Sequence, residues 1–166
     1  MKKIRFEALK RYQDLGYVCA LISSKIELQL VGPHGEFPLT PSRFQETLKT
    51  RSLPTIGLLD NDIVAFACLT DLVLNQNAFI GNLIVSKKQR GKGIGKKLIE
   101  HLVSASFSSY NLIELNVLVY QSNTTALKLY NSIGFRQTTK QSQAKNEGLP
   151  LVELNLIKSD YYSYIK

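Results

Sequence analysis

Three alternating glycines, Gly91, Gly93 and Gly95, lie among six cations: Lys87, Lys88, Arg90, Lys92, Lys96 and Lys97. Glycine lets a backbone turn tightly and approach a ligand with no Cβ in the way. Apolar Ile84 and Val85 precede the run, and Ile94, Leu98, Leu102 and Ala105 follow it at helical spacing, which predicts strand, turn and helix in that order. The free amides at a helix start point outward with the positive end of the helix dipole behind them. Such a turn binds anions, phosphate groups above all. A Walker A loop is excluded, because counting from Gly91 its second glycine falls on Lys96. A dinucleotide fingerprint fails too, since its third glycine falls on Lys96 or Leu98. What remains is R-x-x-G-x-G, from Arg90 through Gly93 to Gly95.

The elements around this turn are legible in outline. A first strand is expected at Ile4–Ala8, followed by two or three short helices, the clearest running from Pro41 to Arg51 with Thr40 as its N-cap. Gly32-Pro33-His34-Gly35 reads as a loop. Strands follow at Thr55–Asp60, Ile63–Leu74 and Ala78–Ser86, separated by the turns Asp60-Asn61-Asp62 and Asn75-Gln76-Asn77. A helix from Gly93 to Phe107, a strand at Leu112–Val119 and a helix from Thr124 to Ile133, capped by Asn123 and closed by Gly134, come next. Two strands, Phe135–Lys140 and Leu151–Ile157, finish an α/β fold of about seven strands with helices on the sheet faces. The length of 166 residues suits one domain.

The sequence resembles the GNAT family of acetyl-CoA-dependent N-acetyltransferases. The resemblance rests on [QR]-x-x-G-x-[GA] at Arg90–Gly95, followed in order by N-x-x-A-x-x-L-Y-x-x-x-G-F at Asn123, Ala126, Leu129, Tyr130, Gly134 and Phe135. It implies a mixed, mostly antiparallel sheet in which the strands Ala78–Ser86 and Leu112–Val119 splay to form the acetyl-CoA cleft. The pantetheine arm would pair with the backbone of Leu83, Ile84 and Val85 as an added strand. The pyrophosphate would lie on the amides of Arg90, Gly91, Lys92, Gly93, Ile94, Gly95 and Lys96. Asn123 would hydrogen-bond the pantetheine arm as well as cap its helix. Tyr130, two helical turns further on, would protonate the departing thiolate, and a phenol of ordinary pKa near 10 is neutral at pH 7 and able to donate. The acceptor would be an amine, small or peptidic, attacking the thioester directly.

The base that frees such an amine has no obvious candidate. The strand Ala78–Val85 lacks a carboxylate, and Leu118 stands five residues before Asn123, where relatives acting on ribosomal protein termini can carry glutamate. Asp71 and Glu114 are the acidic residues on nearby strands, and Asn82 could instead orient a water. His34 lies in a loop that could border the acceptor, and His101 is expected in solvent on the outer face of its helix. The acceptor region is expected between the N-terminal helices, the loop Gln141–Pro150 and the far side of the splayed strands. The tail, Tyr161-Tyr162-Ser163-Tyr164, would cover a sheet edge or pack on a second copy in a homodimer.

Bulk properties narrow the classes. The chain is 44% hydrophobic and 20% charged, which excludes a disordered protein. Cys19, Cys68, His34 and His101 have no metal-ligand spacing, so no metal is expected, and no G-x-S-x-G elbow is present. The two cysteines read as reduced, buried thiols. With no apolar run of signal-peptide or membrane-spanning type, a cytoplasmic location is expected. The net charge is +8, and removing the six clustered cations leaves +2. The charge therefore belongs to one phosphate-sized turn, with no interleaved aromatics of the kind that bind single-stranded nucleic acid. Besides the enzyme reading, a CoA-sensing module without catalysis and a nucleic-acid binder are the alternatives.

Overall fold

The computed structural model describes residues 3–32, 36–138, 145–146 and 149–164. The elements are β1 (Ile4–Ala8), α1 (Asp14–Cys19), α2 (Lys25–Val31), α3 (Pro41–Leu48), β2 (Arg51–Leu59), β3 (Asp62–Val73) and β4 (Asn77–Val85). A short 3₁₀ turn at Lys87–Gln89 leads to α4 (Ile94–Ser108), β5 (Glu114–Tyr120), α5 (Thr124–Asn131), β6 (Arg136–Gln137), β7 (Lys145–Asn146), β8 (Leu149–Ile157) and α6 (Lys158–Tyr164). The strands form one sheet in the order β1-β2-β3-β4-β5-β8-β6, with β7 paired to β8. Every pairing is antiparallel except β4 with β5. This is the expected mixed, mostly antiparallel sheet.

Alternation along the strands builds two cores. On one face Leu69, Ile80, Leu115, Val117, Leu154 and Leu156 pack under Leu98, Leu102 and Phe107 of α4 and Tyr130 of α5. On the other, Ile56, Phe66, Cys68 and Ile84 pack under Leu15, Val18, Leu28 and Phe44 of α1–α3. Full burial of such a side chain contributes roughly 1.5–3 kcal/mol, so each face holds its helices by apolar contact.

Three boundaries differ from the sequence reading. α3 stops at Leu48 and β2 begins at Arg51, running through Pro54, which as a proline reads as a break. The strand tolerates it by a register shift between Ser52 and Thr55 with Leu53 at φ 50°, while the Pro54 carbonyl accepts from Leu9 N–H at 2.8 Å. β6 keeps two residues of the longer strand expected at Phe135–Lys140, whose last two residues lie outside the described ones. The tail is helical: Tyr161 and Tyr162 place their rings 5.8 and 6.4 Å from Phe107, so they cover the end of α4 in the same chain. His34 and residues 141–144, 147 and 148 of the expected acceptor loop lie outside the described residues. No helix among the described residues is long and apolar enough to cross a membrane.

Candidate active site

β4 and β5 pair over three positions only: Asn77 with Glu114, Ala78 with Leu115, and Phe79 with Asn116. Beyond Phe79 and Asn116 the two strands part, each still held by its outer neighbour, β3 or β8. The parting coincides with a bulge in β4. Cys68 pairs with Gly81 and Phe66 with Ile84, so Asn82 and Leu83 together oppose Ala67, and Asn82 takes φ 54°. The extra residue inverts the strand's facing. Ala78 and Ile80 point to the α4 core, whereas after the bulge Leu83 and Val85 do so and Ile84 joins the other core.

The expected cofactor strand is therefore divided in its use. Ser86 N–H donates to Val64 carbonyl at 2.8 Å, which makes Ile84 with Phe66 the next hydrogen-bonded pair of that ladder. The peptide groups of Ile84 are thus turned to β3, and those of Leu83 and Val85 to the open side. Arg90 occupies the Val85 carbonyl, its Nε donating at 2.9 Å, while its Nη1 reaches Glu27 Oε1 of α2 at 2.9 Å. Glu27 also accepts from Ser23 N–H at 2.7 Å and Ser23 Oγ at 2.8 Å. Burial pushes the Glu27 carboxyl upward, but the Ser23 and Arg90 hydrogen bonds outweigh it and hold the group at about 2. A Ser-x-x-Glu capping pattern at Ser24–Glu27 was there to be read in the sequence; its tie to Arg90 was not.

The glycine turn has the conformation that its composition requires. Gly91 and Gly93 have φ of 74° and 77°, in the left-handed region. Lys92 folds back onto the turn, its Nζ donating to Lys88 carbonyl and Gln89 Oε1. Gly93 is the N-cap of α4 and supplies no side-chain cap to the first helical amides, those of Ile94, Gly95 and Lys96. Gly95 is helical, and a Cβ there would lie 3.6 Å from both Leu129 and Val85, an ordinary contact. The protein's own packing therefore leaves room for a Cβ at 95. The donor set and the bare backbone suit a phosphate-bearing ligand.

Asn123 is the N-cap of α5 and accepts from Ala126 N–H at 3.1 Å. Tyr130 is 4% exposed, with its ring edge-on to Phe135 at 5.4 Å and no hydrogen bond to its hydroxyl among the described residues. Burial raises its pKa well above the ordinary phenol value, so it is held protonated. Asn82 is otherwise engaged: Nδ2 donates to Val31 carbonyl at 2.8 Å and Oδ1 accepts from Cys68 Sγ at 3.3 Å, tying α2 to the bulge. Asp71 is exposed and accepts from Thr70 Oγ1, and Glu114 accepts from Asn155 Nδ2 at 3.5 Å. His101 is exposed, as expected, with its ring tilted against that of Phe6 at 5.4 Å. Among the described residues no cluster of His, Cys, Asp or Glu could hold a metal ion.

The sequence pattern of the Acetyltransferase (GNAT) family matches residues 19–135, more than two thirds of the chain. The chain belongs to the GNAT family. It is an acyltransferase. Among relatives, the [ribosomal protein bS18]-alanine N-acetyltransferase of Salmonella typhimurium is 31% identical over 103 residues, covering 62% of this chain and 68% of that protein. A crystal structure of spermidine N-acetyltransferase from Vibrio cholerae in complex with CoA and spermine superposes with a TM-score of 0.78 at 18% identity, covering 96% and 98% of the two chains. The Escherichia coli ribosomal-protein-S18-alanine N-acetyltransferase superposes with a TM-score of 0.70 at 23% identity, covering 93% and 94%. Those two likenesses are of fold.

Proposed function

We propose that this GNAT enzyme transfers the acetyl group of acetyl-CoA to a primary amine by direct attack in a ternary complex. The observation that carries this reading is the parting of β4 from β5 immediately beside the uncapped start of α4. The amides of Ile94, Gly95 and Lys96, with the bare backbone of Gly91 and Gly93, would take the pyrophosphate. The open edge at Leu83 and Val85 would hydrogen-bond the pantetheine arm once Arg90 yields the Val85 carbonyl. Acetyl-CoA supplies the acetyl group as a thioester. Asn123 would lend its amide to the arm while its Oδ1 continues to cap α5.

As the amine nitrogen bonds to the acetyl carbon the C–S bond breaks, and one amine proton must end on sulfur. Tyr130 is the group for that end of the reaction. Its hydroxyl is protonated at neutral pH and has no competing partner among the described residues. A phenol raised this far is a weaker acid than a thiol of ordinary pKa, about 8.5. Its part is thus a hydrogen bond to the developing thiolate, with the proton following as the amine gives one up.

The acceptor meets the parted strands from the face of α1 and α2, since α4 and α5 cover the other. The test is release of free thiol from acetyl-CoA in the presence of spermine, an alanine-initiated peptide or hydroxylamine. Amine-dependent release that falls at least tenfold in Tyr130→Phe supports the reading. Release that the phenylalanine variant leaves unaltered refutes the role given to Tyr130. A turn serving nucleic acid is disfavoured by the inward use of Arg90 and Lys92.

A further inference from the structure

Asn116 is a buried polar residue whose side-chain oxygen has no partner among the described residues. It is 5% exposed, and its Oδ1 is buried without a hydrogen bond. Its place in the sheet is the base of the parting: Phe79 with Asn116 is the last pair before β4 and β5 separate. Leu115, Val117 and Val119 point into the α4 core, so by alternation Asn116 turns to the opposite face, the one from which the acceptor arrives. Asn155 lies directly across from it on β8, and is itself anchored by donating to Glu114 at 3.5 Å. Among the described residues two other buried side-chain polar atoms lack partners, Arg51 Nε and Ser106 Oγ. Ser106 is on α4, and Arg51 is two strands further from the parting, so neither is at the junction.

A buried carbonyl oxygen left unpaired costs stability unless a ligand supplies the missing donor. Resting on the acetyltransferase reading above, we infer that Asn116 binds the acceptor amine, its Oδ1 accepting one N–H of the neutral nucleophile. A carboxamide accepts this hydrogen bond without taking the proton, so Asn116 orients the nitrogen lone pair and is not the base. The class of acceptor it fits is an unhindered primary amine, which retains an N–H to donate while its lone pair attacks.

Asn116→Leu separates this role from a structural one. The substitution keeps the branched four-heavy-atom side chain and removes the orphan oxygen, so the ligand-free variant should melt higher than wild type by roughly 2–8 °C. It should keep the wild-type rise in melting temperature on adding acetyl-CoA. With hydroxylamine as the amine and acetyl-CoA saturating, its KM for hydroxylamine should rise about tenfold, the loss expected for one hydrogen bond. Should leucine not be accommodated, Asn116→Ala carries the kinetic arm with the same expectation. A leucine variant that folds but melts lower than wild type, or an unchanged KM in either variant, overturns the inference. If wild type itself shows no melting rise with acetyl-CoA, the underlying reading has failed whatever Asn116 does.

Discussion

Glu27 offers a perturbation whose size and pH dependence both follow from the structure. Its carboxylate accepts from Ser23 N–H, Ser23 Oγ and Arg90 Nη1, and is held at about 2 against a reference of 4.5. A full shift of that size would correspond to about 3 kcal/mol. Arg90 is 45% exposed, however, and water screens its charge, so about 1–2 kcal/mol is the working figure for Glu27→Gln. The sign is fixed by the direction of the shift. The folded pKa lies below the unfolded one, so between about 2 and 4.5 the unfolded chain binds the extra proton and stability rises with pH. The contribution is fully present above about 4.5 and lost as pH falls toward 2. Wild type and Glu27→Gln, melted at several pH values, should differ by roughly 2–8 °C at pH 7 and converge as pH falls. A difference that does not change between pH 7 and pH 3, or no difference at pH 7, would refute the bridge from α2 to the glycine turn.

Other substitutions read other parts of the site. Gly93→Ala meets no atom within 4 Å, so its cost is the left-handed backbone alone, about 1–2 kcal/mol, seen as a lower melting temperature with a weakened acetyl-CoA response. Gly81→Ala is a steric case: the new Cβ would lie 2.6 Å from Thr70 Cγ2, so the protein should be clearly destabilised and partly rescued by Thr70→Ser. Asn123→Ala removes the α5 cap and should cost about 1 kcal/mol in denaturant titration. Tyr130→Phe removes a hydroxyl with no hydrogen bond among the described residues, so its melting temperature should not fall while turnover drops at least tenfold.

The sequence was most legible where local chemistry leaves few options. Glycines at 91 and 93 marked a tight turn, which the fold realises with positive φ at both, and the helical spacing of Ile94, Leu98 and Leu102 placed α4. Asn123 read as a cap and acts as one. The ends of β2 were not legible, because a strand can absorb Pro54 by a bulge that only the pairing with β3 reveals. Asn82 looked free to hold a water until the fold brought Val31, 51 residues away in sequence, to its amide. The orphaned oxygen of Asn116 and the tie of Glu27 to Arg90 were invisible for the same reason. An orphaned oxygen is defined by neighbours from other strands, and Glu27 meets Arg90 across 63 residues of chain.

The proposed acetyl-CoA site is the turn at Arg90–Lys96 together with the open edge of β4. Its most direct test is the melting temperature with and without acetyl-CoA, on protein shown to be free of copurified CoA. A ligand at about 1,000 times its dissociation constant adds about 4 kcal/mol, which for a chain of this size is a rise of roughly 8–16 °C. A rise of that order, diminished in Gly93→Ala, is the predicted result. Folded protein that melts at the same temperature with and without saturating acetyl-CoA would rule out that site.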